Sequence, residues 1–343
     1  MEHVAIDLGG RESQICVRQA DGSISMESRC RTIDLPNFFA TRPPSRVIVE
    51  TCAEAFHVAD VARRAGHDVR VVAATLVRAL GVGARRTKTD KRDAQILSEV
   101  STRIELQGVH VPSLRSREHK SLCGARDALV RSRTKLINST RGWLRAWATR
   151  LPTGSPKTFP DRVRNAVGPS IPLYVEAQLD VIETITLRVE ELDDQIKTLA
   201  KGDPLCCRLM TVPGVGPITS LRFVATIDEI KRFPSATKVE AYLGLTPGEN
   251  SSSERVVRTG ITKAGAEPLR RVLVQAALSL KHRRRDEPMV MWALKIQARR
   301  GKHIATVALA RKLAGVLFAL WRDGTIYQSA RTARVTPEMS ETP

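Results

Sequence analysis

Short apolar runs alternate with amphipathic segments over the first hundred residues. The pattern predicts five strands, the first of them buried: Val4–Leu8, Ser13–Arg18, Ser23–Ser28, Arg46–Glu50 and Asp68–Val72. A turn at 20–23 joins the second run to the third, which predicts a hairpin. Helical patterns follow at 53–65, from Leu76 onward and at 90–105. Three antiparallel strands followed by parallel strands that alternate with helices predict an α/β domain with an RNase H-like fold.

The middle of the chain has no strand pattern and is predicted to form two long helices. Residues 115–150 contain ten Lys and Arg against two acids, whereas 174–201 is rich in Asp and Glu. Antiparallel pairing would leave a basic face for a phosphate backbone, with Arg131, Lys135 and Arg141 as candidate contacts. A solvated coiled-coil spacer or a dimerisation arm would explain the same pattern.

A third region opens on the run Val212-Pro213-Gly214-Val215-Gly216-Pro217, which precedes an apolar helix at 218–227. This pattern predicts a helix-hairpin-helix element, in which the backbone at Gly214 and Gly216 would offer N–H groups to a phosphate. An ordinary tight turn is the alternative. Further helices are predicted at 268–281 and 304–321, and a disordered tail at the end. The predicted domains are 1–110 (α/β), 111–203 (helical linker), 204–328 (mostly helical) and 329–343 (tail).

Composition narrows the class of partner. The chain has a net charge of +19 over 343 residues, which points to nucleic acid or another anionic surface. The six cysteines form no CxxC pair, and the seven histidines form no zinc pattern, so transition-metal chemistry has little support. No signal-peptide pattern or uninterrupted apolar run of membrane-spanning length is present, so we expect a cytoplasmic protein with no membrane role.

Four carboxylates fall where predicted elements of the α/β domain begin or end. Asp7 ends the first strand and Glu50 ends the fourth, and in an RNase H-like sheet these strands are neighbours. Asp90 and Asp93 lie three residues apart at the start of a helix, within a run of Arg and Lys. Each acid alone also suits an ordinary cap or surface position. Together they predict a cluster that holds Mg²⁺ against a phosphodiester.

A polar segment in the third region carries three serines and then three cations. These are Ser251, Ser252, Ser253, Arg255, Arg258 and Lys263. A serine can attack a phosphodiester once its proton is removed, and the cations could neutralise the charge that develops. From residue chemistry alone, an ordinary polar loop is the favoured interpretation.

The motifs together resemble the DEDD transposases of the insertion-sequence-110 family, relatives of the Piv site-specific DNA invertase. The N-terminal motifs are Asp7, Glu50 and the run Lys88-Thr89-Asp90-Lys91-Arg92-Asp93-Ala94. The C-terminal motifs are the 212–217 turn, Tyr242-Leu243-Gly244-Leu245-Thr246-Pro247 and Ile261-Thr262-Lys263. The likeness spans nearly the whole chain in the family's order, from a RuvC-like domain through a helical linker to a transposase domain.

The resemblance implies a DNA transposase or site-specific recombinase of a bacterial insertion sequence, with a two-part active site. Its metal-binding acids would be Asp7, Glu50, Asp90 and Asp93, with Mg²⁺ as the cofactor. Its nucleophilic serine falls within Ser251–Ser252. Family members commonly read Ser-Ser-Gly-Gly here, which aligns Ser252 with the serine before the first glycine, although this chain has Ser253 and Glu254 in place of the glycines.

The resemblance also implies partners. These are double-stranded donor and target DNA and a guide (bridge) RNA that pairs with both, so that base pairing reads the sequence. The serine and the acids lie on different domains, and they could meet within one chain or across a dimer interface. We expect a homodimer or homotetramer, located in the bacterial cytoplasm with the nucleoid.

Three other functions fit parts of the pattern. A metal-dependent junction nuclease with an RNase H-like fold would use the acids with water and no serine. The run Ile6-Asp7-Leu8-Gly9-Gly10 also suits the phosphate loop of actin-fold sugar kinases, although no second such loop or adenosine motif is present. A non-enzymatic helix-hairpin-helix protein would bind DNA with all four acids in structural roles.

Overall fold

A computed structural model describes residues 1–79, 90–252 and 255–329, with the backbone but not the side chains of Asp90, 250–252 and 255–258. The chain divides into two compact units, Met1–Pro112 and Ser113–Pro343. The predicted helix from Leu76 is described only as far as residue 79, and the predicted tail only at Ser329. The other residues of both predictions lie outside the described ranges.

The first unit is built on one five-stranded sheet. Its strands are β1 (His3–Asp7), β2 (Glu12–Arg18), β3 (Ile24–Arg31), β4 (Arg46–Glu50) and β5 (Asp68–Val72). Their order across the sheet is β3-β2-β1-β4-β5. β1 pairs antiparallel with β2 and parallel with β4, and β4 pairs parallel with β5. The prediction of a mixed α/β domain is confirmed.

Alternate residues of the central strands enter two separate cores, one on each face of the sheet. The flanking helices are α1 (Leu35–Ala40), α2 (Ala55–Arg64), α3 (Ala74–Ala79) and α4 (Asp90–Arg103). Ile6 and Val49 are fully buried in the core that includes α1 and α2. Ala5 and Ile48 are fully buried in the core that includes α3 and α4. The odd-numbered positions of β1 therefore face α4.

The second unit is mostly helical. Its helices are α5 (Leu114–Ala146), α6 (Phe159–Val167), α7 (Leu173–Gly202), α8 (Pro204–Leu209), α9 (Pro217–Ile227), α10 (Ala236–Tyr242), α11 (Glu267–Arg283), α12 (Pro288–Arg300) and α13 (Lys302–Asp323). Between α10 and α11 lies a two-stranded sheet, β6 (Pro247–Ser252) and β7 (Arg255–Ile261). The mostly helical character predicted for this part of the chain is confirmed.

The two long helices α5 and α7 pack antiparallel. Arg126 of α5 donates to Asp193 of α7 at 2.8 Å, and Arg133 donates to Thr186 at 3.3 Å, so sequence numbers rise in opposite directions along the pair. Helix α6 was not predicted from the sequence, because its Pro- and Gly-rich surroundings hide its apolar face. Phe159, 1% exposed, packs into the same core as residues of α5 and α7.

The helical linker and the following helices share one compact unit. Cys123 of α5, Ile196 of α7 and Leu221 of α9 belong to a single buried cluster. Between them, Asp127 pairs with Arg222 at 2.8 Å and with Arg271 at 2.6 Å, which fastens α5 to α9 and α11. A domain boundary near residue 204 therefore stays a prediction.

The C-terminal helix α13 is long and apolar enough to cross a membrane by length and composition, with mean hydropathy 1.6. In the structure it lies in the core of the second unit, where Leu309, Leu313 and Leu317 are each 0% exposed. Its apolar character is therefore explained by packing against the neighbouring helices.

Candidate active site

The two strand-end acids of the first unit lie next to each other at one edge of the sheet. The parallel register of β1 and β4 ends with the pair Ile6–Val49. Asp7 and Glu50 are the next residues on each strand, and neighbouring strands are about 4.8 Å apart. Because side chains alternate along a strand, both acids belong to the face that α4 covers. This placement agrees with the side-by-side arrangement predicted for them.

Helix α4 crosses this face antiparallel to β1 and carries Asp93 toward the same edge. Ser101, near the end of α4, lies 3.0 Å from His3 at the start of β1, measured from Oγ to Nδ1. Asp93 lies about 12 Å before Ser101 along the helix, and Asp7 lies about 13 Å after His3 along the strand. Asp93 is 9% exposed, on the inner side of α4. The helix therefore brings it over the end of β1.

The fourth acid, Asp90, begins α4, and its side chain lies outside the described part of the structure. Among the side chains that are described, no three from His, Cys, Asp and Glu are grouped closely enough to hold a metal ion. The donor chemistry still fits a hard divalent cation, because every candidate ligand is a carboxylate oxygen. Asp7, Glu50 and Asp93 thus belong to the same end of one face of the sheet, but their side chains are not close enough together to form a metal site.

Basic residues around the acids are partly engaged by the protein itself. Lys91, beside Asp90, pairs with Glu27 of β3 at 2.9 Å. The hydrogen bond from Lys91, followed by that from Gln95, holds the pKa of Glu27 below its ordinary value. Lys91 therefore ties the start of α4 to the sheet. Lys88 and Thr89 lie outside the described residues.

The serine segment forms a β-hairpin, so the interpretation as an irregular polar loop was wrong. Ser251 pairs with Val256 and Ser252 with Arg255, which is the last pair that the structure describes. Ser253 lies outside the described residues. The strand was not predicted because β6 reads Pro-Gly-Glu-Asn-Ser-Ser, residue types that are mostly depleted in strands. Its pairing with the Val-rich β7 overrides that local preference.

The motif residues on either side of the hairpin hold its two ends together. The backbone N–H of Thr262 donates to the carbonyl of Thr246 at 3.0 Å, and that of Lys263 donates to Gly244 at 3.2 Å. The hairpin therefore projects from a closed base, and Ser252 lies at its far end.

Arg270 of α11 locks this base and was not predicted from the sequence. Its guanidinium, in a side chain 9% exposed, donates to the carbonyls of Leu243 at 2.8 Å and Ala264 at 3.0 Å. In a chain this basic, one more arginine looks like surface charge. The available signal was a pair of glycines, Gly244 within the Tyr242–Pro247 motif and Gly265 two residues after Lys263. Their φ angles of +63° and +71° mark a close approach of two backbones.

Of the three cations that the sequence placed beside the serines, only Lys263 has a described side chain, since those of Arg255 and Arg258 lie outside the described part of the structure. Lys263 is exposed at the base, with φ +55°. A cavity of 430 Å³ between the hairpin base and α13 is lined by Arg300 and His303, among others. The rest of the lining is mostly apolar and includes Ile261, Ile304 and Val307. Basic side chains therefore form only part of the wall of this cavity.

The Val212–Pro217 turn joins α8 to α9 in a tight hairpin, closed by a bond from the Val215 N–H to the Val212 carbonyl at 3.0 Å. Gly214 has φ +86°, and a Cβ there would lie 3.0 Å from the Cβ of Leu280, so packing against α11 requires glycine. Gly216 precedes α9, where no side chain caps the helix. This helix start leaves backbone N–H groups available to an anion.

Two sets of cations lie on different faces of α5. Arg126 and Arg133 face α7, as their contacts show. Arg131, Lys135 and Arg141 are exposed, and they fall within about a third of the helix circumference at 100° per residue. Within the described ranges no carboxylate pairs with these three. Antiparallel pairing has therefore left an uncompensated basic face, as the sequence predicted.

Comparisons with known proteins identify relatives along most of the chain. Residues 4–147 match the DEDD family model for transposases of the IS110 type. Residues 206–290 match a second family model, described as "Transposase IS116/IS110/IS902 family". The two matches together cover more than half of the chain. They include the four candidate acids, helix α5 and the β6–β7 hairpin.

Individual relatives match at low identity over almost their full length. A "Probable family 20 transposase" of Pseudomonas aeruginosa is 27% identical over 337 residues, 96% of this chain and 99% of the relative. The "Transposase for insertion sequence element IS1328" of Yersinia enterocolitica is 27% identical over 335 residues, 94% and 98% of the two chains. The "Transposase for insertion sequence element IS1111A" of Coxiella burnetii is 26% identical over 325 residues, 92% and 88%.

Proposed function

We propose that this chain, which belongs to the IS110 family of transposases, cuts and rejoins DNA through a covalent phosphoserine at Ser252. That it is a DNA transposase follows from the family; the serine, the metal and the guide RNA belong to the proposal. The observation that supports it most is the register of β1 and β4. This register sets Asp7 beside Glu50 on the face that α4 and Asp93 cover.

The carboxylates are proposed as the metal-binding half of the site. Family membership suggests the use of a divalent metal, and we assign Mg²⁺ because the candidate ligands are all oxygens. Asp7, Glu50, Asp90 and Asp93 would hold it. When bound, the ion would supply positive charge against the phosphate under attack. The strand order β3-β2-β1-β4-β5 supports an RNase H-like, or RuvC-like, fold for this unit.

The serine hairpin is proposed as the covalent half. The Oγ of Ser252 attacks phosphorus, the bond from phosphorus to a DNA oxygen breaks, and the serine proton passes to that leaving oxygen. A hydroxyl of the second DNA strand then attacks the phosphoserine, and the serine recovers its proton. Each step exchanges one phosphate ester for another, so rejoining needs no external energy source. Arg255, Arg258 and Lys263 would neutralise the developing negative charge.

The remaining basic elements are proposed to hold nucleic acid. Arg131, Lys135 and Arg141 on α5 would contact phosphates of DNA or of a guide RNA. The α8–α9 turn would act as a helix-hairpin-helix element, with N–H groups near Gly214 and Gly216 directed at duplex backbone. The acids and the serine belong to different compact units. They would meet either within one chain or across a subunit interface, and we assign a homodimer or homotetramer as the active form.

The test uses the terminal DNA of the chain's own insertion element, together with RNA that co-purifies with the protein. A substrate nicked beside the cleavage site should trap labelled DNA on the wild-type protein in a form that resists detergent. Ser252→Ala should lose this adduct, and the neighbouring variant Ser251→Ala should keep it. Asp93→Asn should lose cleavage and retain DNA binding, since it alters the carboxylate and leaves the basic face intact. Cleavage by Ser252→Ala without any adduct would instead support a metal-dependent nuclease.

A further inference from the structure

The strongest unassigned feature lies at the tip of the helical hairpin, where α5 ends and the chain turns toward α6. A concavity of 860 Å³ opens there, lined by residues that include Arg141, Arg145 and Arg150 and by no acidic residue. Its volume lies in the range of pockets that receive small organic molecules. It is therefore large enough to receive part of a nucleotide chain.

The arginines of this tip retain their charge for an external partner. Arg145 and Arg150 are exposed, and within 1–79, 90–252 and 255–329 neither has a carboxylate partner. The guanidinium of Arg141 lies 5.5 Å from the ring centre of Phe159, an attraction that leaves its charge uncompensated.

The acids of α7 do not neutralise the tip because other cations hold them. Arg164 of α6 pairs with Asp180 at 3.0 Å and also with Glu176 and Glu183. Lys157 pairs with Glu190 at 2.9 Å. Arg164 of the short helix that the sequence did not predict, and Lys157 just before that helix, thus hold four acids of α7.

An exposed aromatic side chain lies between these arginines in the sequence, next to the residues that line the concavity. Trp147, the residue after the end of α5, is 71% exposed in a chain with an aromatic fraction of only 4%. The next residue, Ala148, has φ +54°, a left-handed conformation that is uncommon for alanine and that reverses the chain here. An indole in water costs free energy unless a partner covers it, and nucleobases stack well on indole rings.

We propose that this tip binds an unstacked nucleotide of a single strand, with its phosphates on Arg145 and Arg150 and its base on Trp147. Single strands present bases that can stack on aromatic side chains, whereas the bases of a duplex are already stacked on each other. A duplex would engage the arginines but not the indole. The inference rests on the proposed nucleic-acid function and is independent of Ser252 and of the carboxylates.

The experiment measures binding of the full-length protein to labelled 12-nucleotide single strands of RNA and of DNA, and to a blunt 12-base-pair duplex. The plot of log affinity against log salt has a negative slope, and Arg145→Ala/Arg150→Ala should make it shallower by about 1.4 for single strands, because two phosphates are no longer neutralised. Trp147→Ala should weaken single-strand binding by about fivefold or more. Binding of the duplex should change less in Trp147→Ala than binding of the single strands.

The matched control removes two charges elsewhere on the same hairpin. Arg188→Ala/Lys197→Ala acts on exposed residues of α7, where Arg188 pairs with Glu191 and Lys197 with Asp194. It should leave the single-strand salt slope unchanged. Tryptophan fluorescence adds a direct readout, since stacking should quench the wild type and Trp147→Phe should lose that quenching.

The outcomes separate this inference from the phosphoserine proposal. Ser252→Ala protein that still shows the Trp147 quench would support the tip site whatever becomes of the covalent adduct. The strand that binds more tightly, RNA or DNA, identifies the source of the nucleotide. An unchanged salt slope in Arg145→Ala/Arg150→Ala, or quenching that persists in Trp147→Phe, would overturn the tip site.

Discussion

At Gly265 two backbones pass so closely that no side chain fits between them. A Cβ at this position would lie 2.1 Å from the carbonyl oxygen of Tyr242, and the residue has φ +71°. The left-handed conformation alone costs an alanine about 1–3 kcal/mol, and the contact with Tyr242 adds to it. The base of the serine hairpin therefore depends on glycine here.

We expect Gly265→Ala to lower the free energy of unfolding by about 2 kcal/mol or more and to reduce the yield of the covalent DNA adduct. Both effects follow because the larger side chain opens the hairpin base. Thermal denaturation would measure the loss of stability, and the trapping assay would measure the loss of adduct. Gly260→Ala is the matched control, since a Cβ on that glycine of β7 meets no atom within 4 Å. Equal stability of the two variants would show that the base is not held as closely as the backbone contact indicates.

At the scale of elements, the docking of α4 on the sheet is the contact that positions Asp93. His3 lies at this contact and bonds to Ser101. Burial, followed by the positive charges of Arg46 and of the N-terminus, holds the pKa of His3 below its ordinary value. The folded protein therefore prefers the neutral imidazole, and protonation weakens the docking of α4.

The stability contributed by neutral His3 is fully present above the unfolded pKa, about 6.5, and is lost as the pH falls from there toward the folded value. We predict that thermal stability drops from pH 7.5 to pH 5.5, and that His3→Gln reduces the drop. The protection factor for hydrogen exchange at the end of α4, near Ser101, which corrects for the intrinsic effect of pH on exchange, should fall over the same interval in the wild type. A drop of the same size in His3→Gln would assign it to other groups, His119 among them, whose pKa is also lowered by burial.

An element of this molecule can be predicted from the sequence when residues close together in the chain determine it. β4 and β5 were predicted at their observed bounds, because Arg46–Glu50 and Asp68–Val72 are apolar runs with clear ends. The placement of Asp7 beside Glu50 was predicted from the order of the strands. Asp127 was counted as one of two acids on a basic helix, yet it pairs with Arg271, 144 positions away. Such a pair has no local signature, and neither has the β6–β7 hairpin, where pairing overrides composition.

At the scale of the whole molecule, the charge of +19 is divided between cations that hold the fold together and cations that face outward. Arg126, Arg164 and Arg222 belong to the first class, since each pairs with an acid of a neighbouring helix. Arg131 and Lys135 belong to the second, on the exposed face of α5. Net charge alone predicts affinity for nucleic acid, but only the second class can release counterions from it.

This division predicts which substitutions change the salt dependence of duplex DNA binding. Arg131→Ala/Lys135→Ala should make the negative slope of log affinity against log salt shallower by about 1.8, which is about 0.9 for each phosphate that is no longer neutralised. The α7 variant Arg188→Ala/Lys197→Ala removes the same amount of charge and should leave the slope unchanged, because both cations are paired with acids on their own helix. Equal effects of the two variants would mean that DNA responds to net charge rather than to the α5 face. A change of oligomeric state with no change of slope would assign α5 the role of a dimerisation arm, and light scattering on the same samples would detect it.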